Sequence, residues 1–167
     1  VRLIFKAPWT GGRARMAVCL VRVSLGATVR SGGMPGGYGE LMACRISELV
    51  LDSRDPERLA AFWCEVLGYV VLDRGDGSVE IGPEEGSGGL QPTIVFNPTD
   101  TPKSGKLPLH IDVNPTDRDQ AAELDRLLKI GARPADVGQT GEESWHVLAD
   151  PEGNEFCLLR RQLSGKP

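Results

Sequence analysis

The chain has 167 residues, 40% apolar and 25% charged, the balance of a water-soluble fold with material for one compact domain or two small halves sharing a core. Its apolar runs are all too short to cross a membrane as a helix. Six Lys/Arg and one acid, Glu40, give residues 1–41 a charge of +5; with −4 overall, residues 42–167 carry −9, which argues against nucleic acid as the main partner and is compatible with a small cationic molecule.

Residues 1–41 are rich in Gly and Arg and lack a sustained period. Their best apolar run, Met16 to Ala27, is broken by Arg22, which suits neither a signal peptide nor a well-sided membrane-surface helix. We expect a disordered extension or a misassigned start here, because Met42 stands just ahead of the first clear strand. The four cysteines, Cys19, Cys44, Cys64 and Cys157, form no C-x-x-C pair, so reduced thiols in a cytoplasmic protein are expected.

From Arg45 the chain becomes orderly. Ile46–Asp52 reads as a strand, and Asp55-Pro56 opens a helix with an acid at the cap and proline in the first turn. Leu59, Phe62, Trp63, Val66 and Leu67 give that helix one apolar face, and Gly68 ends it. Three short strands follow, at Tyr69–Asp73, Ser78–Ile81 and Thr93–Phe96, the first two joined by Gly75-Asp76-Gly77.

The same order then recurs. Leu109–Val113 reads as a strand, Thr116 or Asp117 caps a helix with Ala121, Leu124, Leu127 and Leu128 as its stripe, and Gly131 ends it. Strands near Arg133–Val137, Ser144–Ala149 and Glu155–Leu159 complete the set, the last two joined by the turn-forming Asp150-Pro151-Glu152-Gly153-Asn154. Glu48 to His110 and Asp55 to Asp117 are both offsets of 62, and Gly68 to Gly131 is 63. The expected fold is α+β: two paired β-α-β-β-β modules, at about 45–98 and 108–160, in a domain spanning 42–163. Lys103-Ser104-Gly105-Lys106 links the modules, and 164–167 is a tail.

Three stretches carry a family resemblance: Glu48–Gly68 with Ala61-Phe62-Trp63 and the run Val66-Leu67-Gly68-Tyr69, then Leu109-His110-Ile111-Asp112, then Asp150–Cys157. Together they resemble the vicinal-oxygen-chelate superfamily of glyoxalase I, extradiol dioxygenases and the bleomycin- and fosfomycin-resistance proteins, and within it the glyoxalase-like domain group. The resemblance implies that the modules curl into a barrel-like mixed sheet around a central cavity, and that two copies pair as a homodimer. It also implies metal-ligand positions on the first and last strand of each module. Carried over, these fall on Glu48, His110 and Cys157, while the last strand of the first module, near Ile94–Phe96, offers no ligand.

These implications leave three functions open. The first is a lyase, isomerase or dioxygenase with a divalent metal (zinc, iron, nickel or manganese) on Glu48, His110 and Cys157, acting as a Lewis acid. The second is a protein without metal that sequesters a flat or cationic small molecule against Trp145 or Trp63. The third is a metal-free enzyme with His110 as general acid or base and Glu48 orienting it. Glu80 is a candidate carboxylate for the first module, and either Trp145 or His146 faces the ligand, since alternation sends them to opposite faces. No phosphate loop, nucleophile elbow, H-E-x-x-H or C-x-x-C motif is present.

Overall fold

Residues 46–86 and 88–164 are described by the structure, a computed structural model. The extension or misassigned start expected at 1–41, and all but Ser164 of the expected tail, lie outside the described residues.

The first module runs β1 (Glu48–Ser53), α1 (Pro56–Leu67), β2 (Val70–Gly75), β3 (Ser78–Gly82) and β4 (Thr93–Pro98). The second runs β5 (Ile111–Val113), α2 (Gln120–Lys129), β6 (Arg133–Pro134), β7 (His146–Ala149) and β8 (Glu155–Leu158). The repeat is reproduced in topology: the sheets have the orders β1-β4-β3-β2 and β5-β8-β7-β6, each with its first and last strands parallel and its other pairs antiparallel. The strands form two separate four-stranded sheets, so the barrel-like curl is not closed.

Local chemistry accounts for the first module. The Asp55 side chain accepts from the Arg58 N–H at 3.2 Å, and Pro56 starts α1 where a missing N–H costs nothing. The helix ends at Gly68 with φ 66, a left-handed conformation that glycine adopts without strain. Asp76 and Gly77, with φ 54 and 80, make the tight turn between β2 and β3.

The second module departs from expectation at its helix and strand ends. Asp119, not Thr116 or Asp117, caps α2, accepting from Ala122 N–H at 2.8 Å; Asp117 is instead paired with Arg118. The buried stripe of α2 is also narrower, because Ala121 and Leu128 are exposed while Leu127 is fully buried. Glu123 is buried beside them because Arg126 and Arg118 neutralise it. Arg126 also donates to the carbonyl of Glu65, tying α2 to the end of α1. β5 starts at Ile111, leaving Leu109 and His110 just ahead of it, and β6 is only two residues long.

One core serves both modules: Leu59, Trp63, Ile81 and Phe96 from the first are continuous with Leu127, Leu148, Phe156 and Leu158 from the second. Trp63 is its centre, with ring centroids 5.7 Å from Phe62 and 5.3 Å from Phe156, both edge-on.

The Asp150–Asn154 turn fastens the modules together. Asp150 Oδ2 accepts from Trp63 Nε1 at 3.2 Å and Asn154 Nδ2 at 2.9 Å, while Oδ1 accepts from the N–H groups of Glu152 and Asn154. Two residues on, the Glu152 carboxylate reaches the start of α1, accepting from Ser53 Oγ at 2.7 Å, Arg54 N–H at 3.0 Å and Asp55 N–H at 2.8 Å. Carboxylate charge at a helix N-terminus is favourable in itself.

Burial alone would raise the Glu152 carboxyl, but the donors from Ser53, Arg54 and Asp55 outweigh it and hold the group below its ordinary value. The stability it contributes is therefore present above its unfolded value and lost as pH falls through the folded one. Glu152→Gln is expected to flatten the acid limb of stability against pH. Denaturant midpoints measured from neutral to acid pH check this, and an acid limb as steep as that of the parent chain would refute it.

Candidate functional site

The two sheets each have one face in the core and one turned away from it. In the second sheet Phe156 and Leu158 are fully buried in the core, so Cys157 between them points to the other face. Register places Cys157 opposite Asp112 on β5 and Val147 on β7. His110 lies just ahead of β5, two residues before Asp112, and its side chain comes to the same side.

These placements produce a cluster. Among the described residues, one group of three His, Cys, Asp or Glu side chains brings a donor atom of each within 4.8 Å of the others: His110, Asp112 and Cys157. His110 and Asp112 are exposed, and Cys157 is the buried floor. Burial pushes the Cys157 thiol up, and the neighbouring Asp112 carboxylate pushes it further, by its charge and by a hydrogen bond; Lys106 pulls weakly the other way.

The donor set suits a divalent metal. Zinc bonds of about 2.0–2.3 Å put tetrahedral ligands roughly 3.5 Å apart, so a 4.8 Å envelope closes on an ion with small side-chain shifts. His110 and Cys157 were both expected as ligands from the sequence. Asp112 was not, although its two-residue spacing from His110 was a readable sign. Glu48 lies outside the cluster, on β1 of the first sheet opposite Thr93. Glu80 pairs with Val95, and alternation along β4 puts Glu48 and Glu80 on the same face of that first sheet.

The aromatic candidates separate as well. Trp63 is 1% exposed, with its indole N–H on Asp150, so it packs the core and offers no surface to a ligand. His146 pairs with Leu158 and so takes the core-side face at the exposed start of β7. Trp145, one residue earlier, is 43% exposed, and alternation assigns it to the face of Val147 and Cys157.

Beside the cluster, Glu155 holds the linker to β8. It accepts from Lys103 Nζ at 2.8 Å and from Leu107 N–H at 3.2 Å. This half-buried pair brings residues 103–107 to the strand that carries Cys157.

Comparison with known proteins identifies the fold and the family. The family model described as "Glyoxalase-like domain" matches residues 48–159. No curated protein matches the sequence. Among solved structures, the chain is similar to the fosfomycin resistance protein FosX of Mesorhizobium loti, with 15% identity, TM-score 0.53, and 71% of this chain and 93% of that chain covered. A variant of FosX from Listeria monocytogenes, in complex with Mn(II) and 1S,2S-dihydroxypropylphosphonic acid, gives 13% identity, TM-score 0.54, and coverage of 71% and 91%. The trypanothione-dependent glyoxalase I of Leishmania major gives 20% identity, TM-score 0.50, and coverage of 70% and 86%. At these identities the likeness is one of fold, with both enzymes and resistance proteins among the neighbours. With two-thirds of its length matched by the family model and the paired-module fold in place, the chain belongs to the glyoxalase-like domain family.

Proposed function

We propose that the protein is a glyoxalase-like enzyme of the vicinal-oxygen-chelate type, performing lyase, isomerase or dioxygenase chemistry on a small molecule at the outer face of the second sheet. The observation that carries this reading is the convergence of His110, Asp112 and Cys157. These three side chains would hold a divalent metal, which supplies Lewis-acid charge for oxygen atoms of the bound molecule. His110 and Asp112 are exposed, so the small molecule reaches the site from the solvent side, and Trp145 offers it a flat apolar surface. The free thiols Cys64 and Cys157 suit a reducing compartment such as the cytoplasm. No helix among the described residues is long and apolar enough to cross a membrane. Pairing of two copies is part of the reading, since β1 and β5 are edge strands, Val50 is exposed on the first of them and Ile46 is exposed just ahead of it.

A second reading has its own support. Trp145 is 43% exposed ahead of β7, which suits a protein that only binds, with this indole as its ligand surface.

Metal content and thermal stability decide between them. Untagged protein is expected to carry zinc, iron, nickel or manganese, and to gain about 2.7 kcal/mol with the ion at 100 times its dissociation constant. His110→Ala is expected to abolish both effects. If no divalent ion co-purifies or raises the melting temperature, the metal-assisted reading fails and the binding reading stands. A positive result directs a screen of lyase and dioxygenase substrates.

A further inference from the structure

The cluster differs in one member from the set read off the sequence, and that member changes where the site lies. Both strands that supply it belong to the second module. Asp112 and Cys157 are direct partners in the parallel register of β5 and β8, and His110 stands one alternation before Asp112. Glu48 and Glu80, the candidate carboxylates of the first module, share a face of the other sheet.

Resting on the metal-assisted reading above, we infer that this is a self-contained zinc-class site: His110, Asp112 and Cys157 supply nitrogen, oxygen and sulfur, and Glu48 is not a ligand. Three side-chain donors with a fourth position left for water or substrate is the arrangement of catalytic zinc, whereas structural zinc is closed by four protein ligands. The thiolate sets the metal class, because sulfur favours zinc and its soft relatives, while magnesium and manganese favour carboxylate and water oxygens. Burial sets the direction of the open position. Cys157 is 6% exposed and forms the floor, while His110 and Asp112 are exposed, so the fourth position faces solvent. The ligand held there is a small molecule presenting one oxygen or nitrogen donor to the ion, and a second donor only if coordination expands to five.

Cobalt(II) substitution of the untagged full-length protein tests this, because a cobalt–thiolate bond produces a sulfur-to-metal charge-transfer band that nitrogen and oxygen ligands do not. We expect one ion per chain, that band together with the intense visible absorption of four-coordinate cobalt, and loss of the band in Cys157→Ser. By competition with a chromophoric chelator, Asp112→Asn is expected to weaken zinc binding at least about 100-fold, since changes outside the ligand shell already cost ~10–100-fold. Glu48→Gln is expected to leave zinc affinity within about twofold. Far-ultraviolet circular dichroism confirms that each variant is folded. Metal binding without a charge-transfer band, or a Glu48→Gln loss matching that of Asp112→Asn, overturns this inference and leaves the metal-assisted reading standing. Failure of zinc, cobalt and manganese alike to bind the parent protein overturns both.

Discussion

Trp63→Ala is expected to be the most damaging single substitution, costing about 3–5 kcal/mol of folding stability, the range for deleting a large aromatic side chain from a core. The indole is 1% exposed and lies against Phe62 and Phe156, which come from different modules. Its loss removes ring contacts to both and strips one donor from the buried Asp150 carboxylate. Trp63→Phe separates the two contributions, keeping a ring while deleting the indole N–H. It is expected to cost about 1.5–3 kcal/mol, the value of a hydrogen bond to a charged group. Guanidinium denaturation of both variants provides the measurement. A Trp63→Ala loss near 1 kcal/mol would mean that the core closes over the gap and that the modules do not depend on this residue for their union.

The second large effect is expected at Asp150. Removing its side chain in Asp150→Ala leaves the Trp63 indole, the Asn154 amide and two backbone N–H groups without their acceptor, at a cost of about 3 kcal/mol. Asp150→Asn is expected to fail as a rescue. Both carboxylate oxygens accept, each from two donors, so an amide in this place must turn its own NH₂ toward donors on one side. Burial pushes the Asp150 carboxyl up despite these donors, so its proton-linked contribution to stability is lost as pH rises through the folded value. That dependence is opposite in sign to the one at Glu152, two residues away. Full stability in Asp150→Asn would show that one accepting oxygen is enough and that the four-donor account is wrong.

These two residues also show why the turn between β7 and β8 reads so clearly in the sequence. Asp-Pro and Gly-Asn mark a turn by backbone preference, and Gly153 does adopt φ 88. Their larger effect, however, is tertiary. Asp150 accepts from a tryptophan 87 positions earlier, and Glu152 from the residues that open α1. A turn with one acid at the start of another module's helix and one on that helix's tryptophan has a structural reason for its composition, apart from any chemistry at the site.

The sequence by itself determined the features that depend on near neighbours. The repeat, the Asp55-Pro56 start and Gly68 end of α1, the Asp76-Gly77 turn and the Asp150–Asn154 turn all follow from dihedral preferences and capping within a few residues. Where several local signals competed, it did not discriminate. Thr116, Asp117 and Asp119 are all capping residues, and the pairing of Asp117 with Arg118 leaves the cap of α2 to Asp119. Only the tertiary structure decided which side chains meet. The repeat offset pointed to Glu48 as the partner of His110, but strand register sets Asp112 against Cys157, 45 positions away, while Glu48 stays on the other sheet. Trp63 went to the core for the same reason: helix periodicity names an apolar face, and only packing against Phe156 and a hydrogen bond to Asp150 show what that face covers. Parallel pairing between distant strands has no local sequence signature, because the hydrogen bonds that fix it are made by backbone groups common to every residue.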